Sequence, residues 1–102
     1  MIQIYDKKGF DCLLTLDLSS LVGADLSHAG LHDANLVGAD LSRANLQHAD
    51  LSGADLRLAR LTNANLMGAD LSQANLMGAE LTGINLEGCN LENTVLPPGF
   101  RP

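Results

Sequence analysis

Three histidines, His28, His32 and His48, are the side chains in this sequence best suited to bind a transition metal. His28 and His32 have the i, i+4 spacing of a helical metal pair, whereas His28 and His48 are twenty residues apart. The second pair is the better one if the chain forms coils of twenty residues, as the repeats described below predict, because its rings would then stack about one strand spacing apart. No third ligand follows them, since the equivalent positions hold Gly68 and Gly88. We therefore expect solvated histidines, with no metal site and no cofactor.

The other reactive side chains do not form a catalytic pattern. A Ser-His-Asp order, a glycine-rich phosphate loop and a Cys-His cluster are all absent from the sequence. Cys12 and Cys89 stand near opposite ends of the chain and are expected to be reduced thiols. The carboxylates recur at regular intervals, which is typical of a solvated surface. The sequence therefore predicts a protein that is not an enzyme.

The composition limits both the core and the partners. Trp is absent and Tyr5, Phe10 and Phe100 are the only aromatic residues, so the core must be built from Leu and Ala. Twelve acidic and six basic side chains give a net charge of −6, which disfavours direct nucleic acid binding and anionic membranes. Neither a signal-peptide pattern nor an apolar run of spanning length is present. The default expectation is a soluble cytoplasmic protein.

Leucine recurs every five residues and indicates a series of short strands. It occupies every fifth position from Leu16 to Leu96, with Ala two residues before it from Ala24 to Ala79 and Asp or Asn between them in most repeats. Neither the period of a helix nor that of a strand gives a spacing of five. Within one repeat, Ala and Leu point to the same side of an extended segment, and the polar residue between them points to the other. Each repeat is therefore predicted to be a three-residue strand with an apolar inner face.

The position two residues after each leucine is predicted to be a bend. It often holds Gly, as at Gly23 and Gly38, and otherwise holds mostly polar residues such as Arg43. Glycine supplies the positive φ of a type II turn, and a bend after each strand lets the next Ala and Leu face the same interior. Repeated bends close the chain into a coil, and coils stacked ~4.8 Å apart satisfy each other's backbone groups. The pattern thus predicts a β-solenoid.

Charges at the polar position indicate how many repeats form one coil. Stacked coils bring equivalent side chains together, and like charges directly opposite are destabilising. Three repeats per coil would stack four aspartates, and five would stack two pairs of acidic residues. Four repeats leave one clash, Asp50 over Asp70, and place Arg60 between Asp40 and Glu80. A four-sided coil of twenty residues is therefore favoured.

The A(D/N)LXX pattern closely resembles that of the pentapeptide repeat family, over roughly four fifths of the chain. The resemblance implies an all-β fold, a right-handed quadrilateral parallel β-helix with four pentapeptides per twenty-residue coil and about four coils. The pattern is interrupted at the polar position by Gly30, Arg60 and Glu80, and it decays after Ala79.

The ends of the chain are predicted to cover the open ends of the solenoid. Residues 1–15 are interpreted as an N-terminal cap, a hairpin or short strand lid with Phe10, Leu13 and Leu14 as candidate plugs. Residues 16–96 form the β-helix, and residues 97–102 form a C-terminal cap or tail in which Phe100 folds over the last coil. These small lids indicate a monomer or a weak dimer.

Regular surface columns without a reactive cluster favour a non-catalytic structural or protein-interaction module whose protein partner is unknown. The candidate contact surface is the side where exposed apolar residues concentrate, around Leu18, Val37, Arg57, Leu58 and Met77. The alternative comes from the resemblance, since some longer family members mimic DNA and inhibit or protect the topoisomerase gyrase. The acidic charge favours that alternative, but cations such as Arg43 and Arg60 fragment the negative columns.

Overall fold

The computed structural model describes all residues from Met1 to Pro102. Its two extended strands are β1 (Ile2–Tyr5) and β2 (Cys12–Leu16), and it contains no helix. The rest of the chain forms isolated parallel bridges that join each polar position to the residue twenty further on, from Asp25 with Asn45 to Asn75 with Val95. The predicted coil of four pentapeptides is therefore confirmed. The molecule is elongated, with Cα extents of 34 × 25 × 21 Å.

Each corner of the coil is a turn with positive φ. At the first corner, the Ala24 amide donates to the Leu21 carbonyl at 3.1 Å, and Gly23 between them has a φ of 69°. The same left-handed conformation recurs at every fifth residue up to Asn93. Eight of these corners are not glycine: His28, Asp33, Arg43, His48, Leu58, Asn63, Gln73 and Asn93. Leu58, with a φ of 62°, is the one large apolar residue among them, although such residues rarely adopt this conformation.

The core consists of the inward leucine and alanine columns, as the composition predicts. In the central coils the leucines are completely buried, and no polar or charged residue lies among the buried ones. Adjacent coils are joined by backbone hydrogen bonds in both directions, as when the Leu46 amide donates to Asn65 and the Asn45 amide donates to Ala24. Because each coil satisfies its neighbour, the stability of the fold depends on stacking.

The N-terminal segment is a hairpin, with β1 antiparallel to β2. The chain around Asp6 pairs antiparallel with the edge of the first coil: the Asn35 amide donates to Tyr5 and the Lys7 amide donates to Asp33, both at 2.8 Å. Ile4 is only 3% exposed and covers the core at this end.

One predicted plug is wrong. Phe10 is 83% exposed, because it lies in the hairpin turn, where its amide and that of Asp11 donate to the Asp6 carboxylate. Leu13 and Leu14 are half-buried and pack against the core as expected. The alternation of β1 places Ile4 inward and leaves the turn beyond the edge of the coil.

At the C-terminal end, Phe100 packs against the core as predicted. A cavity of about 380 Å³ lies between the tail and the last coil, lined by Leu81, Ile84, Leu86 and Phe100 among others. Leucines of the last coil, such as Leu91 and Leu96, are only half-buried because no further coil covers them. The structure has no helix long and apolar enough to cross a membrane.

Candidate interaction surface

The coils present four flat faces, which we number by their stacked leucines. Face 1 contains Leu21, Leu41, Leu61 and Leu81; face 2 contains Leu26, Leu46, Leu66 and Leu86; face 3 contains Leu31, Leu51, Leu71 and Leu91; face 4 contains Leu36, Leu56, Leu76 and Leu96. On each face, the residues immediately before and after the leucine point outward and stack in columns. These columns are the surfaces available to a partner.

Asp and Asn before each leucine accept hydrogen bonds from the residue after it. In Asp70, one carboxylate oxygen accepts both the Ser72 amide at 2.9 Å and the Ser72 hydroxyl at 2.6 Å. The serine hydroxyl bond, together with the backbone bond, lowers the pKa of the Asp70 carboxyl. Asp25 and Asp40 are held in the same way by Ser27 and Ser42. These polar columns are therefore locally satisfied, rather than poised for reaction.

The net charge is unevenly distributed over the faces. Face 3 carries Asp33, Asp50, Asp70 and Glu92, and face 2 carries Asp25 and Glu87, with no lysine or arginine on either face. Face 1 balances two acidic with two basic residues, including an Arg60–Glu80 ion pair of 3.3 Å that the charge columns predict. Face 4 holds only Asp55 and Arg57. The net charge of −6 thus lies on faces 2 and 3.

Face 4 is the side where exposed apolar side chains concentrate. Val37 and Met77 are exposed in one column, and Leu58 at the adjoining corner is 65% exposed. Leu18 is also exposed, but it lies in the segment between β2 and the first coil, outside the stacked columns. The coils therefore bring four of the candidate residues, Val37, Arg57, Leu58 and Met77, onto one side.

Two further exposed residues, Tyr5 and Val95, extend this surface and were missed by sequence reasoning. Val95 bridges Asn75 on the last coil, and Tyr5 lies beside Asn35 through the hairpin. The twenty-residue period was enough to find Val95, which occupies the polar position of its repeat. Tyr5 lies outside the repeat, so only the structure reveals its position.

Arg57 and Asp55 form a closed ion pair in the middle of face 4. The guanidinium donates to both carboxylate oxygens, from Nε to Oδ1 at 2.8 Å and from Nη2 to Oδ2 at 2.7 Å. This hydrogen bonding lowers the pKa of Asp55 and raises that of Arg57. The pair neutralises both charges, so face 4 is apolar around a neutral polar centre.

Comparison with known proteins agrees with this geometry. The family model described as "Pentapeptide repeats (8 copies)" matches residues 19–57 and 54–93. The chain belongs to the pentapeptide repeat family. Its fold is accordingly the right-handed quadrilateral β-helix, as the resemblance implies.

Solved structures of other pentapeptide repeat proteins are similar to this chain. One from the thylakoid lumen of Arabidopsis thaliana is 32% identical, with a TM-score of 0.56. The match covers 74% of this chain and 63% of the Arabidopsis chain, so this chain spans less than two thirds of that relative. Another, from Nostoc PCC 7120, is 40% identical, with a TM-score of 0.39, and the match covers 76% of this chain and 77% of the Nostoc chain. HetL from Nostoc sp. strain PCC 7120, involved in heterocyst differentiation regulation, is 32% identical with a TM-score of 0.32. It covers 78% of this chain, which spans 52% of HetL. No curated protein matches.

The histidines of this pentapeptide repeat protein lie as the period predicts. The rings of His28 and His48 stack with centroids 5.2 Å apart and an interplanar angle of 21°. Parallel stacking aims their nitrogens past each other rather than at a shared ion, and no group of three potential ligands occurs in the structure. The cysteines are free, and the Cys89 thiol donates to the Leu66 carbonyl at 2.8 Å.

The structure also brings together a Ser-His-Asp group that the sequence order did not reveal. Nδ1 of His32 lies 2.8 Å from the Ser52 hydroxyl, and its Nε2 lies 3.2 Å from Asp33, which also contacts Lys7 of the hairpin at 3.7 Å. Ser52 donates its single proton to Asp50 at 2.5 Å, so His32 does not act as its base. The imidazole is also solvent-exposed. The group links the hairpin to face 3 and contains no activated nucleophile.

Proposed function

We propose that this pentapeptide repeat protein is a non-catalytic structural or protein-interaction module that binds a protein partner through face 4. The supporting observation is the concentration of exposed apolar side chains, Val37, Leu58, Met77 and Val95, on one side of a rod whose other faces are mainly polar. Exposed apolar side chains that share one surface are typical of binding sites, whereas isolated ones are not. Arg57 supplies a polar group at the centre of this surface.

Capture experiments with a paired variant test this proposal. Val37→Ser with Met77→Ser removes the apolar column but keeps the fold, because Ser already occupies the equivalent position at Ser42, Ser52 and Ser72. We expect recovery of partner proteins from a lysate of the source organism to fall at least about tenfold. Met67→Ser, the same change on face 2, is the matched control and should leave recovery unchanged. Equal recovery with the paired variant and the control would exclude face 4.

Gyrase inhibition by DNA mimicry remains the alternative and has weaker support. The feature in its favour is the acidic charge of faces 2 and 3, which no lysine or arginine on those faces offsets. The charges do not form a continuous stripe, because Asp50 and Asp70 stack between Gly30 and Asn90. On face 2 only asparagines follow Asp25 in the polar column. A DNA duplex carries a long, regular stripe of charge instead. A purified chain with no effect on gyrase supercoiling would eliminate this alternative.

We also propose a cytoplasmic location, which the sequence favours. One similar structure is of a thylakoid lumen protein, so fractionation of the source cells is the direct test.

A further inference from the structure

Face 4 has the charge and shape of a surface that binds its own copy. We infer that two copies of this chain associate face 4 against face 4 in a two-fold symmetric dimer. This inference rests on the proposed function, because it names a partner for the same surface.

The area of the face fits a weak dimer. The five residues of one face span at most about 17 Å, and the molecule is 34 Å long with the hairpin included, so the face covers less than about 600 Å². The hairpin contributes to this length, since Tyr5 lies beside Asn35. Stable interfaces bury about 800 Å² on each partner, and weaker, transient ones bury less. A dimer through face 4 would therefore belong to the weaker class.

The charge distribution selects face 4 over the polar faces for self-association. Two copies with a charge of −6 each repel one another, most strongly through faces 2 and 3. On face 4 the only charges are Asp55 and Arg57, which neutralise each other. Face 2 lies on the opposite side of the rod. Face 3 adjoins face 4, but its nearest acidic residue, Asp33 at the shared corner, is paired with Lys7 at 3.7 Å. Two copies therefore repel each other less through face 4 than through faces 2 and 3.

The corner beside face 4 has a protruding side chain and an open site that could receive the same side chain from a second copy. Leu58 protrudes between two glycines of the same column, Gly38 and Gly78. Its Cδ2 atom lies over Gly78, 2.8 Å from where a Cβ on that residue would stand, whereas nothing lies within 4 Å of the equivalent point at Gly38. A two-fold axis across the rod, between the first and second coils, places Leu58 of each copy over Gly38 of the other. The same patch then serves both copies.

The backbone at Leu58 also favours a role for this side chain in contact with another molecule. A leucine with a φ of 62° is strained, and Asn or Gly would fit this corner with less strain. Asn already occupies equivalent corners at Asn63 and Asn93. Leu58 is also 65% exposed, so its side chain contributes little to the stability of the monomer. A contact with a second copy accounts for it.

The test is sedimentation equilibrium of the full chain across micromolar concentrations, with Leu58→Asn as the main variant. We expect the wild type to exceed its monomer mass of 10.7 kDa as concentration rises. Leu58→Asn should raise the dimer Kd at least about tenfold. The same variant should keep or increase Tm at a concentration where both proteins are monomeric, since it relieves backbone strain. A purely structural role for Leu58 predicts a lower Tm instead.

Two further variants complete the experiment. His48→Asn makes the same type of change at the diagonally opposite corner, where φ is 60°, and should leave the dimer Kd within about twofold. Val37→Ser with Met77→Ser should weaken the dimer as Leu58→Asn does. A wild type that remains monomeric at every concentration, or a Leu58→Asn dimer as tight as the wild type, overturns the inference.

The outcomes for self-association and for the proposed function are distinguishable. A monomeric chain that still loses its captured partner on Val37→Ser with Met77→Ser overturns self-association and leaves the proposed function standing. A dimer that is disrupted by Leu58→Asn, in a chain that captures no other protein, supports self-association and removes the need for a foreign partner.

Discussion

At the scale of single residues, the hydrogen bonds within each repeat make stability depend on pH. The pKa of Asp70 lies below its ordinary value of 3.8, chiefly because the Ser72 hydroxyl donates to the carboxylate. A carboxyl whose pKa is depressed by folding contributes stability above its unfolded pKa, and this contribution is lost as pH falls toward the folded pKa. Asp25, Asp40 and Asp55 are shifted in the same direction. The protein should therefore lose stability below about pH 4.

Asp70→Asn should make this acid-induced loss smaller. The amide oxygen of Asn can still accept the backbone amide, as Asn90 does from Glu92 at 3.0 Å, but an amide takes up no proton. The decline of Tm between about pH 5 and pH 3 should be shallower in the variant, as thermal unfolding followed by circular dichroism would show. Ser72→Ala should flatten the same decline by raising the pKa of Asp70. If the effects of Asp70→Asn and Ser72→Ala on the decline of Tm add up in the double variant, the bond from the Ser72 hydroxyl to Asp70 is not the cause of the decline.

At the scale of elements, the hairpin is the part of the fold where side chains outside the repeat determine stability. Ile4 is 3% exposed over the first coil, while Phe10 is 83% exposed in the turn. Ile4→Ala should lower the free energy of unfolding by about 2 to 4 kcal/mol, because it removes buried methyl groups above a core that cannot close up. Phe10→Ala should change it by less than about 0.5 kcal/mol. Urea denaturation of both variants measures the difference, and a larger loss from Phe10→Ala would reverse the assignment.

The hairpin also shows where the sequence stops being informative. The coil can be predicted from the five-residue period. Once the number of repeats per coil is known, it follows that Asp50 stacks on Asp70 and Arg60 on Glu80. β1 has no period, and its pairing with residues 33 to 35 depends on the open edge of the first coil. Ile4 and Phe10 are both apolar, so composition does not distinguish the plug from the turn.

The sequence likewise predicts only part of the candidate interaction surface. Val37, Arg57 and Met77 were placed in one column by the twenty-residue period, and Leu58 at the next corner follows from it too. The period places Leu18 in the column of Leu58, but in the structure Leu18 precedes the first coil, because Leu16 belongs to β2 and pairs with Ile2. The period says nothing of Tyr5, which reaches the surface through the hairpin. The contact of His32 with Ser52 joins neighbouring coils, so it also follows from the period, but its geometry depends on side-chain rotamers that no spacing determines.

At the scale of the whole molecule, the fold has no single centre. Each coil contacts only its neighbours, so a buried leucine receives its packing from the coil above and the coil below. Leu61 in a central coil is completely buried, whereas Leu91 in the last coil is half-buried and lacks a coil on one side. The two side chains have the same chemistry and the same place in the repeat. They differ in how many neighbouring coils cover them.

This difference predicts a gradient of stability along the rod. Leu61→Ala should cost about 3 to 5 kcal/mol, because the rigid coils on both sides keep the cavity open, while Leu91→Ala should cost about 1 to 2 kcal/mol. Urea denaturation followed by far-ultraviolet circular dichroism gives both values. Because unpaired end coils open locally before the centre does, hydrogen exchange should also protect the amide of Leu46 more than that of Leu91. A globule with one shared core would show equal losses for two equivalent leucines, and that result would contradict the one-dimensional stacking derived from the period.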